Sequence, residues 1–126
     1  MKINLDKKDR YSILTLDEEN LNSVIAPDVK SEFIFLRNEG VKNLIFDMEN
    51  VKYVDSSGLS AILTANRLWN SYGAFVLANV QHPAVKKLIE ISRLESILTI
   101  LPSIAESIDY VMMEELQKEL SSSEEE

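Results

Sequence analysis

The alternation of short apolar segments with helical patterns after residue 40 most constrains how this chain can fold. The strand patterns at residues 43–48 and 74–80 contain continuous apolar runs, which are typical of strands buried on both faces. A helical pattern follows each of them, over residues 57–72 and from Pro83 onward. Since strand–helix–strand units build parallel sheets through right-handed crossovers, this alternation predicts an α/β domain.

Two strand patterns precede the alternation. Ile3 and Leu5 alternate with polar neighbours in residues 1–8, and residues 11–16 repeat the pattern after a charged turn, which predicts an antiparallel hairpin. Residues 17–20 are predicted to form a loop. A helix is expected next, with Pro27 in its first turn and Gly40 just past its end. Its apolar stripe consists of Val29, Phe33 and Leu36.

The end of the chain predicts one more strand and one more helix. Residues 97–101 are predicted to form a short last strand. Ser103 and Glu106 form a capping-box pattern, so a final helix is expected from there to about Leu120. The fold prediction is a single domain over residues 1–120, with a mixed, mostly parallel sheet of about five strands, an N-terminal hairpin and about four helices. Residues 121–126 read as a disordered acidic tail.

Composition excludes several classes of function. The chain has 126 residues, no cysteine and a formal net charge of −8. Without cysteine there is no disulfide, thiolate nucleophile or cysteine zinc site. The negative charge disfavours nucleic-acid binding, and no apolar run reaches the roughly 18 residues that a membrane span needs. The N-terminus lacks the apolar core of a signal peptide, so the cytoplasm is the expected location.

Residues 51–63 form the most informative stretch for function. Asp55, Ser56, Ser57 and Gly58 stand between an apolar strand and a helical pattern. Two hydroxyls at the start of a helix lie where free backbone N–H groups favour a phosphate or another anion. Glycine directly behind them allows another molecule to approach the backbone closely. This pattern predicts a switch whose state is set on one of the serines.

The helix after Ser57 can be divided into faces at about 100° per residue. The predicted core face comprises Ala61, Ile62, Ala65, Leu68, Trp69 and Tyr72. Leu59 and Leu63 fall at the margin between the core face and the serine side. They either form an apolar rim that contacts a partner, or pack beneath a neighbouring loop.

Residues 53–59 read YVDSSGL and resemble the signature of the STAS domain, the fold of bacterial anti-sigma factor antagonists. The similarity extends over nearly the whole chain. Residues 46–48 look like the strand before the signature, and residues 78–85 look like the family's strand-to-helix junction.

The resemblance implies a partner-switching mechanism with Ser57 as the phosphorylated serine. The implied partners are an anti-sigma factor with serine-kinase activity, which binds the unmodified form, and a serine phosphatase. The resemblance also implies a partner-binding site around the serine, made of Asn22, Asp55, Ser56, Ser57, Gly58, Leu59, Ser60 and Leu63. A weak homodimer is also compatible with the sequence.

One loop departs from the family pattern. Residues 18–22 read EENLN, whereas the family commonly has a glycine followed by Leu-Asp, so Asn22 stands at the acidic position and the glycine is missing. This difference bears on the pocket beside Ser57 and on recognition by a kinase. Ser60 also replaces what is often a smaller residue in the family.

Other interpretations of the same residues remain open. Ser56 or Ser57 could serve only as a helix N-cap. Asp47 and Asp55 could suggest a magnesium site, but structural roles are expected, and His82 is not expected to be catalytic. No G-x-S-x-G or phosphate-binding glycine loop is present, so the prediction is a non-enzyme without a metal or cofactor. The alternatives to the antagonist are a STAS scaffold subunit of a signalling or lipid-transport complex, and a small nucleotide-binding domain.

Overall fold

The computed structural model describes residues 1–125, with side chains described to Ser121. Its strands are β1 (Ile3–Lys7), β2 (Ser12–Leu16), β3 (Asn20–Leu21), β4 (Leu44–Asp47), β5 (Tyr53–Val54), β6 (Phe75–Ala78) and β7 (Thr99–Leu101). Its helices are α1 (Ala26–Asn38), α2 (Ser56–Trp69), α3 (Pro83–Ile91) and α4 (Ile104–Glu125).

Five strands form the main sheet in the order β1-β2-β4-β6-β7. β1 and β2 are antiparallel, with Ile3 opposite Leu16, and the remaining neighbours are parallel. The predicted fold class is therefore confirmed, including the hairpin, the mostly parallel sheet and the four helices.

The central strands are buried on both faces because helices cover both sides of the sheet. Leu44 and Phe46 of β4 belong to the larger core, which packs against α1, α2 and α3. Ile45, between them, points to the other face and packs with Val111 of α4. Alternate residues of one apolar strand thus serve two separate cores, which explains the continuous apolar pattern.

Aromatic rings fill the centre of the larger core. Phe33 of α1 meets Phe46 edge to face at a centroid distance of 5.1 Å, and Trp69 stacks on Phe75 at 6.2 Å. The fully buried Trp69 donates its indole N–H to the carbonyl oxygen of Val41 at 3.0 Å. The end of α2 is therefore held both by packing and by a satisfied polar group.

Two short strands pair outside the main sheet. β3 and β5 run parallel, with Asn20 opposite Tyr53 and Leu21 opposite Val54. The sequence predicted a loop at residues 17–20 and a direct connection from the strand at residues 43–48 to the serine helix. Both predictions missed a short strand, β3 in the first case and β5 in the second. Two-residue strands carry no hydrophobic period, and tertiary pairing determines them.

The C-terminal elements differ from their predicted bounds. The last strand begins at Thr99, and the side chain of Ile97 is exposed. α4 continues to Glu125, five residues past the predicted end, because neither glycine nor proline follows Leu120 to stop it. The division into a domain and a disordered tail stays a prediction, and Glu126 lies outside the described residues.

Candidate functional site

Asp55 is the residue that joins the start of α2 to the neighbouring loop. Its backbone is extended, and its Oδ1 accepts the Gly58 backbone N–H at 2.9 Å, which makes Asp55 the N-cap of α2. Its Oδ2 accepts the backbone N–H of Ser23 at 3.1 Å. Both carboxylate oxygens therefore serve backbone donors, one on α2 and one on the β3–α1 loop.

The two serines occupy the first and second positions of α2. Because Asp55 supplies the cap, the interpretation of Ser56 or Ser57 as the N-cap is wrong. Ser56 is exposed and Ser57 is half-buried. All three residues of the sequence DSS are of types that can cap a helix. Because α2 begins at Ser56, the residue before it, Asp55, is the cap. Both hydroxyls are thus left free of the capping role.

Gly58 lies against the backbone of β3. A Cβ atom at this position would lie 2.2 Å from the carbonyl oxygen of Leu21 and 2.8 Å from Leu21 Cγ. That carbonyl oxygen also accepts the Asp55 backbone N–H at 3.2 Å. Glycine is needed here because of the close contact between two segments of the chain, and the contact fixes the β3–α1 loop beside the serines.

Asn22 shapes that loop from within. Its Oδ1 accepts the Val24 backbone N–H at 3.0 Å, and its backbone carbonyl accepts the N–H of Ala26 at 2.8 Å. The asparagine side chain forms a turn with its own backbone, a role that asparagine and aspartate share. Asn22 therefore organises the entry to α1, beside the residues that contact Asp55.

The first turns of α1 and α2 border a hollow of about 280 Å³. Its lining consists of Ser23, Ala26, Pro27, Lys30, Ser56, Ser57 and Ser60. Three of these residues, namely Ser56, Ser57 and Ser60, belong to the predicted partner-binding set. Among the described residues, the lining contains one charged residue, Lys30, which no sequence pattern had indicated.

The two leucines of the predicted rim both pack against the larger core. Leu59 is 8% exposed and belongs to the larger core, so its side chain has little surface to offer a partner. Leu63 is partly buried and packs against the same core. Burial favours the alternative that these leucines pack inside the protein.

Two exposed apolar side chains, those of Val24 and Tyr53, lie close in sequence to Ser23 and Asp55. Val24 is 78% exposed and follows Ser23 directly, and Tyr53 is 55% exposed two residues before Asp55. The Tyr53 ring lies 5.2 Å from the ring of His82. Neither Val24 nor Tyr53 was predicted as a contact residue, because an isolated apolar residue in a short segment carries no periodic signal.

Asp47 and His82 have structural roles. Asp47 is buried and accepts hydrogen bonds from the Thr15 hydroxyl, the Asn79 amide and the Glu49 backbone N–H. His82 caps α3 by accepting the Ala84 N–H on Nδ1 at 3.3 Å. Among the residues that the structure describes, no group of three or more His, Asp or Glu side chains could hold a metal ion.

Within residues 1–125, no helix is both long enough and apolar enough to cross a membrane.

Comparison with solved structures shows that the fold is shared with anti-sigma factor antagonists. A Thermotoga maritima protein described as an anti-sigma factor antagonist is 22% identical, with a TM-score of 0.76 over 87% of this chain and 94% of that chain. SpoIIAA is also 22% identical. Its unphosphorylated form matches with a TM-score of 0.73 over 88% of this chain and 96% of its own. The phosphorylated form of Bacillus SpoIIAA matches with a TM-score of 0.66 over 87% of this chain and 99% of its own.

The same fold also occurs within a larger protein. Part of the murine anion transporter Slc26a9 is 17% identical, with a TM-score of 0.68 over 86% of this chain and 18% of the transporter chain. At these identities, similarity to solved structures shows the fold alone. The sequence profile of the STAS domain, however, matches residues 2–107, which include β1 to β7 and the start of α4. The chain belongs to the STAS domain family.

Proposed function

We propose that this protein is an anti-sigma factor antagonist that acts by partner switching in the cytoplasm. Its unphosphorylated form binds an anti-sigma factor with serine-kinase activity, and phosphorylation of Ser57 releases that partner. A serine phosphatase restores the binding form. The protein is thus a substrate of enzymes and has no catalytic residues or cofactor of its own.

The position of the Ser57 hydroxyl carries this proposal. Ser57 is the second residue of α2, and Asp55 performs the capping that would otherwise occupy a hydroxyl at the helix start. A phosphate there lies within the first turn, where the helix dipole and free N–H groups favour negative charge. Phosphorylation is therefore compatible with the folded protein.

The same phosphate opposes a docked partner. It adds about −1.5 to −2 charges close to the Asp55 carboxylate, on a chain whose net charge is already −8. Because the fold tolerates the phosphate, the repulsion and desolvation costs fall on the interface. Each loss of about 1.4 kcal/mol at that interface weakens binding about tenfold.

The surface around the serines has the composition of a protein-binding edge. The apolar side chains of Val24 and Tyr53 are exposed. Val24 follows Ser23, whose backbone N–H donates to Asp55, and Tyr53 precedes Asp55 by two residues. A partner that covers these side chains together with the serine pair removes apolar surface from water. Negative charge added within such a contact weakens it.

Affinity capture from the cells that express the protein tests the proposal. We expect wild type and Ser57→Ala to capture a partner with serine-kinase activity, and Ser57→Asp to capture at least about tenfold less of it. In the presence of ATP, the captured kinase should phosphorylate wild type but not Ser57→Ala.

Ser71→Asp is the matched control because it adds the same charge at an exposed serine just beyond the other end of α2. This variant should capture the partner as well as wild type does. Equal capture of one stable set of partners by wild type and Ser57→Asp would contradict the proposal. That result would instead support the alternative of a STAS scaffold subunit. The similarity to part of the transporter Slc26a9 is an example of this fold within a larger protein.

A further inference from the structure

We propose that Lys30 is the counter-ion of a phosphate on Ser57 and draws that phosphate into the hollow between α1 and α2. This inference rests on the proposed phosphorylation of Ser57. It adds the residue whose side chain contacts the phosphate once it is attached. Lys30 then acts as a positioning residue of the switch.

The hollow brings Lys30 and Ser57 together across two helices. Lys30 lies one turn into α1 and Ser57 lies in the first turn of α2, and both line the same space of about 280 Å³. A water molecule occupies roughly 30 Å³ in the liquid, so the space accommodates the three oxygens of a phosphoryl group. The remaining lining is small or uncharged: Ser23, Ala26, Pro27, Ser56 and Ser60.

Lys30 forms no ion pair with any side chain in the described part of the chain. Among side chains described up to Ser121, the ion pairs are Lys8 with Asp6, Arg10 with Glu119, and Lys52 with Glu19, so Lys30 belongs to none.

The nearby Asp55 carboxylate is already engaged. Both of its oxygens accept backbone N–H groups, those of Gly58 and Ser23. The hollow is thus lined by a lysine that forms no ion pair within residues 1–121 and by a hydroxyl without a capping role.

The electrostatic consequence follows from the charges involved. A phosphate on Ser57 lies near a carboxylate in a protein with a net charge of −8, which disfavours its dianionic form. An ammonium group within about 4–6 Å favours that form and offsets the repulsion. Lys30 thereby stabilises the phosphorylated state and orients the phosphate toward α1.

The test uses the full-length chain with phosphoserine installed at position 57 during translation, so that no kinase is needed. The pH dependence of the ³¹P chemical shift reports the second ionisation of the phosphate, which has its midpoint near pH 6 in an unperturbed phosphoserine. We expect Lys30→Met to raise this midpoint by about 1 pH unit relative to wild type, since the opposite charge is lost. Lys30→Arg should restore the wild-type midpoint.

Lys42→Met is the matched control because Lys42 is exposed and precedes β4, at the edge of the sheet opposite to the serines. This variant should leave the midpoint where wild type has it. Equal midpoints in wild type and Lys30→Met would overturn the proposal. An equal rise in Lys42→Met would also overturn it, because the effect would then reflect net charge alone.

A stability cycle separates the contact from any structural role of Lys30. Thermal unfolding is measured for wild type and Lys30→Met, each with serine and with phosphoserine at position 57. The phosphate should raise the unfolding temperature more in wild type than in Lys30→Met, and strict additivity of the two changes would contradict the contact.

The two proposals can fail separately. If Ser57 carries phosphate in cells but Lys30→Met leaves the midpoint unchanged, the Lys30 assignment fails and the switch stands. If cells never phosphorylate Ser57, the switch fails, whatever Lys30 does to an installed phosphate.

Discussion

Gly58→Ala tests how the candidate site is assembled, because the added methyl group meets the backbone of another segment. The new Cβ would lie 2.2 Å from the Leu21 carbonyl oxygen and 3.0 Å from the Leu21 carbonyl carbon. A side chain could rotate away, but a carbonyl in a paired strand cannot. We therefore expect β3 to separate from α2, with loss of the 3.2 Å hydrogen bond between Asp55 N–H and Leu21 O.

The size of the effect follows from opposing terms. Overpacking in a close-packed site costs about 1–3 kcal/mol, and the lost hydrogen bond costs about 1 kcal/mol. Alanine is favoured over glycine within a helix by about 1 kcal/mol, which offsets part of this. The net expectation is a destabilisation of about 1–3 kcal/mol, or a fall in unfolding temperature of roughly 4–12 °C for a chain of this length.

Urea unfolding followed by far-UV circular dichroism measures this change. Gly40→Ala is a suitable comparison, because its Cβ would meet only Tyr72 Oη at 4.0 Å, while its φ of +88° penalises any side chain. Its cost should be about 1–2 kcal/mol, and it should leave partner capture unchanged. Gly58→Ala, in contrast, should lose both stability and partner capture. A Gly58→Ala protein as stable as wild type would refute the close-approach explanation.

Two further predictions concern polar contacts. Asp55→Ala should destabilise the protein by about 1–2 kcal/mol in urea unfolding, since it removes the acceptor for Gly58 and Ser23; Asp55→Asn, which keeps an acceptor, should cost less. Glu115→Ala should cost about 1 kcal/mol because the buried Asn43 amide loses its 3.0 Å contact with Glu115 Oε1. Glu115→Gln retains an acceptor and should cost less, so equal losses in the two variants would contradict a role for the hydrogen bond.

The sequence predicted the elements whose pattern is local. The apolar runs of β4 and β6 predicted burial on both faces, and the two cores confirm it. Ser103 and Glu106 predicted the start of α4, and the Glu106 backbone N–H donates to the Ser103 hydroxyl at 3.1 Å. In each case, neighbouring residues contain the whole signal.

The arrangement around the serines could not be predicted in the same way. β3 and β5 are two residues each, and their pairing brings the start of α1 beside the start of α2. That juxtaposition brings the Ser23 backbone N–H to Asp55 Oδ2 and places Lys30 and Ser57 on the same hollow, although 27 positions separate the latter two in the sequence. Leu59 likewise reads as marginal on a helical wheel, but it is 8% exposed because it packs in the larger core, which is a tertiary feature.

Phosphopeptide mass spectrometry of the protein from its own cells tests the central claim most directly. The protein is separated into a free pool and a partner-bound pool, and the occupancy of Ser57 is measured in each. The switch predicts phosphate on Ser57 in the free pool and unmodified Ser57 in the bound pool. Absence of phosphate from Ser57, or equal occupancy in the two pools, would contradict it.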